Sequence, residues 1–63
     1  MATYTYTIEF KDKEKIRDII HGAEREVVND NTLYLWSPPV HGKPQNLGTY
    51  DLSVIDKYSR KPE

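Results

Sequence analysis

The 63-residue sequence contains no cysteine, so no disulfide bond can stabilise its fold. Its two histidines would need carboxylates to complete a tetrahedral zinc site, and we therefore expect no metal and no other cofactor. A chain of this length buries only about 60% of the surface that its unfolded form exposes. By elimination, self-association or a partner protein is the expected additional source of stability.

Long apolar runs and an excess of charge are also missing. No run is long enough to cross a bilayer, and the Thr/Tyr-rich N-terminus lacks the features of a signal peptide. Together with the absence of cysteine, this predicts a location in the cytoplasm of the producing cell or of a host that the protein enters. Nine basic and ten acidic residues give a net charge of -1, which argues against nucleic-acid binding.

Catalytic motifs are absent as well. His21 and His41 stand in no nucleophile–base pattern, and no Gly-x-Ser-x-Gly elbow is found. The glycines do not have the spacing of a phosphate-binding loop. The sequence therefore predicts a protein that is not an enzyme.

The clearest pattern present is strict alternation over residues 3–10, typical of a strand. Its apolar face carries Tyr4, Tyr6, Ile8 and Phe10. We interpret the two tyrosines as core residues beneath a helix. The alternative is that they form a stacking platform for the bases of a single-stranded nucleic acid.

Residues 13–22 allow two interpretations. Apolar residues recur with helical spacing at Ile16, Ile19, Ile20 and Ala23, and Gly22 stands where a helix would end. The competing interpretation is a second strand, which would place Asp18 on the inner face at an energetic cost. We favour the helix.

Residues 24–37 read as a hairpin turning at Asn29-Asp30-Asn31, because Asn and Asp tolerate a left-handed backbone. A two-residue loop would pair Val28 with Leu33, Val27 with Tyr34, and Arg25 with Trp36. A three-residue loop would shift this register by one residue and change every pair.

The whole chain, residues 1–63, reads as a single domain. Residues 37–46 form a Pro-rich loop, and residues 59–63 read as a tail. Between them, the alternation of Tyr50, Leu52 and Val54 predicts a last strand over residues 47–58. The predicted fold class is α+β, a small antiparallel sheet with one helix on one face in the order β-α-β-β-β. The alternative is a small all-β barrel.

A candidate contact surface follows from the hairpin. If Leu33 and Leu35 face the helix, Tyr34 and Trp36 lie on the opposite, uncovered side of the sheet, where exposed aromatic side chains mark interfaces. The alternative places Trp36 in the core. The Pro-rich loop either presents two further residues to a partner or is a simple connector. The predicted partner-binding residues are Arg25, Val27, Tyr34, Trp36, Val40 and His41.

Three segments resemble short single-domain proteins of Gram-positive phages and mobile elements: Tyr6–Asp12, Asn29–Leu35 and Tyr50–Leu52. The sequence departs from that pattern at Lys13, where a glycine would stand. Some proteins of this kind inhibit a host protein by binding it, so the resemblance implies a binding role.

The sequence therefore predicts a small non-enzymatic protein-binding module, either a homodimer or an inhibitor of a host protein. The alternative is a single-stranded nucleic-acid-binding protein that uses Tyr4 and Tyr6 with the basic residues Lys57, Arg60 and Lys61.

Overall fold

A computed structural model describes residues 2–63 of the chain. It contains six strands, β1 (Tyr4–Phe10), β2 (Asp18–Ala23), β3 (Arg25–Asn29), β4 (Thr32–Trp36), β5 (Asn46–Asp51) and β6 (Ile55–Pro62), and a 3-10 turn at Leu52–Val54. The α+β expectation is wrong, because the described residues include no α-helix. They form two three-stranded antiparallel sheets instead.

The first sheet has the strand order β2-β1-β6, and the second has the order β3-β4-β5. Glu24 alone separates β2 from β3, so one bent strand passes from the first sheet to the second. The Glu24 N–H donates to the Trp36 carbonyl at 2.8 Å, which holds the bend against β4. The predicted single strand over residues 47–58 is wrong, because the 3-10 turn divides it into β5 and β6. This turn makes the second crossing between the sheets.

The core lies between the inner faces of the two sheets. The alternation of β1 places Tyr6, Ile8 and Phe10 inward, and that of β4 places Leu33 and Leu35 inward. Ala23 and Ile55 complete the buried set. The prediction that Leu33 and Leu35 face the core is confirmed, although a second sheet rather than a helix covers them.

The predicted helix over residues 13–22 is wrong. Residues 18–23 form strand β2, which pairs with β1, and residues 11–17 form the loop before it. The apolar stripe is not a single buried face, because Ile16 is 84% exposed and Ile19 is 50% exposed. The backbone hydrogen bonds that β2 makes with β1 therefore outweigh the local preference for a helix that the spacing indicated.

Gly22 has a role other than ending a helix. Ile20 pairs with Tyr6 and Ala23 pairs with Tyr4, so two residues of β2 stand opposite one residue of β1. Gly22 lies in this β-bulge with φ of +78°, a conformation that costs glycine little.

The Pro-rich segment and the end of the chain are more ordered than expected. Ser37 N–H donates to the Gln45 carbonyl at 2.9 Å, and Val40 and Lys43 exchange two backbone hydrogen bonds around a tight turn. Residues 59–62 belong to β6 rather than to a tail.

A membrane-spanning helix is not among the elements formed by residues 2–63.

Candidate protein-binding face

The hairpin between β3 and β4 determines which side chains point away from the core. Its turn is Asp30-Asn31, with φ values of 51° and 58°, the left-handed conformation that Asn and Asp accept at low cost. The register is that of the two-residue loop, pairing Arg25 with Trp36 and Val27 with Tyr34.

Residues paired directly across a sheet lie on the same face. The outer face of the second sheet therefore carries Arg25, Val27, Tyr34, Trp36 and Thr49, which we call the aromatic face. The rings of Tyr34 and Trp36 are nearly parallel, with an interplanar angle of 20° and centroids 6.5 Å apart. The arrangement is a small flat apolar surface at the centre of the sheet.

The aromatic face is only partly buried. Tyr34 and Trp36 are half-buried, Arg25 and Thr49 are exposed, and Val27 is 37% exposed. The described part of the chain has two sheets and one 3-10 turn, and no third layer covers this face. The alternative that Trp36 belongs to the core does not agree with this placement.

Arg25 pairs with Trp36 across the strands but makes no cation–π contact with its ring. Among residues 2–63, the cation–π pairs are Lys15 on the Phe10 ring, at 4.4 Å, and Arg60 on the Tyr4 ring, at 4.3 Å. Trp36 stacks on Tyr34 instead, which leaves the Arg25 guanidinium available to an external anion.

The other two predicted contact residues lie at the turn between β4 and β5. Val40 is 47% exposed, and His41 and Gly42 occupy the turn with φ values of 54° and 83°. The reciprocal hydrogen bonds between Val40 and Lys43 stiffen this turn. The turn continues the strand that carries Trp36, beyond the end of the aromatic face.

Tyr6 is fully buried and offers no stacking platform for bases. Its hydroxyl donates to the Glu26 carboxylate at 3.0 Å and accepts from the Arg60 guanidinium at 3.5 Å. Burial raises the pKa of the Tyr6 hydroxyl. The Tyr6–Glu26 bond joins the two sheets, and Tyr4 lies beneath Arg60 of its own sheet and packs against the core, so the two tyrosines form no open surface.

One polar cluster has no counterpart in the sequence analysis. The Glu63 carboxylate accepts hydrogen bonds from Thr3 Oγ1 at 2.8 Å, Thr5 Oγ1 at 2.7 Å and the Gly22 N–H at 2.9 Å. His21 Nδ1 lies 3.7 Å from the same carboxylate. These bonds, the one from Thr5 above all, lower the pKa of Glu63 to about 2.

This Glu63 cluster joins residues about as far apart as the chain allows, so no local sequence signal marks it. Thr5 Oγ1 donates its only proton to the carboxylate, and no activated hydroxyl results. The cluster links β1, β2 and the residue after β6 at one end of the first sheet.

Comparison with known proteins identifies no relative: no family model, no curated protein and no solved structure matches the chain.

Proposed function

We propose that the chain is a non-enzymatic protein-binding module that uses the aromatic face as its contact surface. The observation that carries the proposal is the stacked Tyr34–Trp36 pair on a sheet face that no other layer formed by residues 2–63 covers. Trp, Tyr and Arg dominate the energetics of protein interfaces, and the aromatic face presents one of each beside one another.

The dimensions of the aromatic face indicate the kind of partner. Three strands about 4.8 Å apart and five residues of about 3.4 Å each cover about 250 Å². A standard interface takes about 800 Å² from each partner. Two copies that met through this face alone would form a weak dimer. We therefore infer a different protein as the occupant, one large enough to reach the Val40–His41 turn as well.

Charge adds a second requirement. Among the five residues of the aromatic face, Arg25 is the charged one, and it pairs across the strands with Trp36. Asp51 lies on the same side of the sheet at the opposite end, where its carboxylate accepts the Ser53 N–H. A matching partner surface would be apolar at its centre and carry a carboxylate at one side. The resemblance to short phage proteins favours inhibition of a host protein as the specific form of this role.

Affinity capture with three forms of the tagged chain tests the proposal. Wild type and Ile19→Ala, which alters an exposed apolar residue of the first sheet, should capture the same protein, and Trp36→Ala should lose it. With the purified partner, we expect Trp36→Ala to weaken binding about 30-fold, as at an interface hot spot. Circular dichroism controls for the folding of each variant.

Equal capture by all three forms would contradict the proposal. Sedimentation at high micromolar concentration decides between the two occupants, and we expect wild type to be a monomer. A dimer that Trp36→Ala dissociates would show instead that a second copy of the chain covers the aromatic face.

The alternative of a nucleic-acid binder has less support. Its proposed stacking platform required Tyr4 and Tyr6 to be open to solvent, but Tyr6 is fully buried. Arg60, one of its expected phosphate contacts, is held over the Tyr4 ring.

A further inference from the structure

The loop between β1 and β2, residues 11–17, presents the most exposed apolar side chain among those described. Ile16 is 84% exposed, and Val54 of the adjacent 3-10 turn is 48% exposed. Solvent exposure of one large aliphatic residue is ordinary. Here, however, Ile16 stands among alternating cations and lines one of two adjacent hollows.

Both hollows have Phe10, Asp12 and Lys15 in their walls. One hollow, of about 380 Å³, adds Lys11, Ser53 and Val54, and its wall is mostly apolar. The other, of about 430 Å³, adds Glu9, Lys13, Ile16 and Arg17. The Lys15 ammonium lies 4.4 Å from the centre of the Phe10 ring and stands between the two hollows. Each hollow is large enough for an aliphatic side chain.

Positive charge is concentrated at this loop. Residues 11–17 contain four basic and two acidic residues, a net +2, so the rest of the chain, with five basic and eight acidic residues, carries -3. The Asp12 carboxylate accepts the Glu14 N–H at 3.0 Å, and Glu9 pairs with Lys57 at 3.6 Å. Asp12 and Glu9 are thus engaged, whereas the Glu14 carboxylate makes no ion pair within residues 2–63.

Several of the cations, by contrast, remain available. Lys13 pairs with Asp56 at 3.5 Å, whereas Lys11, Lys15 and Arg17 make no ion pair within residues 2–63. Lys11 and Lys15 line the hollow whose apolar floor Phe10 and Val54 provide, and Arg17 lines the adjacent hollow. The chemistry that complements this arrangement is a carboxylate next to an aliphatic side chain.

We propose that the β1–β2 loop binds an acidic peptide segment of a partner protein, with an aliphatic side chain in the hollow over Phe10 and Val54. The peptide's carboxylates pair with Lys11, Lys15 and Arg17, and Ile16 packs against its backbone. A bilayer surface has the same charge, but a flat surface does not fill two hollows separated by a lysine. The site is separate from the aromatic face.

Fluorescence anisotropy with a labelled peptide of alternating leucine and aspartate tests this site at low and physiological salt. We expect binding that weakens with salt, and that is about tenfold weaker for Ile16→Ser. Lys15→Gln and Arg17→Gln should each weaken it about two- to fivefold. The matched control is Lys61→Gln, which removes one positive charge from β6 and should leave binding unchanged.

Two further probes separate the alternatives. Peptides of alternating leucine and lysine, or serine and aspartate, should bind more weakly than the leucine–aspartate peptide. Equal binding of any of these peptides, an equal effect of Lys61→Gln and Lys15→Gln, or no binding at low salt overturns the proposal. Binding to phosphatidylserine vesicles without binding to the peptide overturns it too, and assigns the loop to a membrane surface.

Discussion

At the scale of the residue, Asp18 shows how one partner decides a conformation. It lies on the inner side of β2, opposite Ile8, where a carboxylate without a partner would be costly. The Tyr50 hydroxyl donates to Asp18 Oδ2 at 3.0 Å and offsets that cost. The strand that the sequence disfavoured because of Asp18 is therefore stable.

We expect Tyr50→Phe to lower the free energy of unfolding by about 1–2 kcal/mol, because it leaves Asp18 without its donor. Tyr34→Phe is the matched control, since the Tyr34 hydroxyl makes no hydrogen bond with any residue from 2 to 63. Urea unfolding of both variants measures the difference. Equal losses of stability would show that the Tyr50–Asp18 bond contributes nothing.

The same bond predicts a dependence on alkaline pH. Burial, followed by the hydrogen bond to Asp18, raises the pKa of Tyr50 from 10.0 to about 12. Because the folded pKa is the higher one, this stabilisation is complete below pH 10 and is lost as the pH rises through about 12. The free energy of unfolding of Tyr50→Phe should therefore change less between pH 10 and about pH 12 than that of wild type, as urea unfolding at each pH would measure.

At the scale of the element, β6 is held at both ends. It begins at the buried Ile55 and pairs with β1 along its whole length, and the Glu63 cluster secures its last residues. The Glu63 N–H also donates to the Thr3 carbonyl at 3.0 Å. An end that composition marks as a tail is thus part of the sheet.

Glu63→Gln should loosen this end, because an amide cannot accept the three hydrogen bonds that the carboxylate accepts. We expect faster hydrogen exchange at the Gly22 amide, and no change for Glu14→Gln, which alters a carboxylate in the exposed loop. Unchanged exchange at Gly22 would contradict the assigned role of Glu63.

The pH dependence of this effect has a defined sign. The pKa of Glu63 is lowered from 4.5 to about 2, so its contribution to stability is present above pH 4.5 and is lost as the pH falls through about 2. The free energies of unfolding of wild type and Glu63→Gln should therefore differ most near neutral pH and become equal in strong acid.

At the scale of the whole molecule, the chain is flat and has a small core. It measures 37 × 26 × 13 Å and exposes 4560 Å², against about 4200 Å² for a compact monomer of its mass. The excess agrees with an uncovered sheet face. The buried set is correspondingly small, so each core residue carries a large share of the stability.

We expect Leu35→Ala to unfold most of the protein at 25 °C. A fully buried leucine costs about 2–5 kcal/mol when truncated, and a core of this size supplies about 3–5 kcal/mol in total. Val40→Ala, at an exposed position, should change stability by less than about 0.5 kcal/mol. Urea unfolding of both variants and wild type measures these differences. An unfolding midpoint of Leu35→Ala close to that of wild type would contradict the prediction.

The sequence by itself determined the features that depend on near neighbours. Alternation placed Tyr6 and Ile8 inward. The tolerance of Asp30 and Asn31 for a left-handed backbone produced the two-residue turn that sets the hairpin register, and alternation along β4 then put Leu33 and Tyr34 on opposite faces. The two faces of the hairpin follow from these local preferences, and with them the aromatic face.

Only the tertiary structure decided the features that depend on distant partners. Asp18 is tolerated in a strand because it accepts a hydrogen bond from Tyr50, which is 32 positions away in the sequence. Glu63 is likewise held by Thr5, which is 58 positions away. The spacing of residues along the sequence cannot predict whether such a distant residue will form a hydrogen bond in the folded protein. The choice between helix and strand at residues 13–22 therefore depended on a hydrogen bond and a sheet edge that exist only after folding.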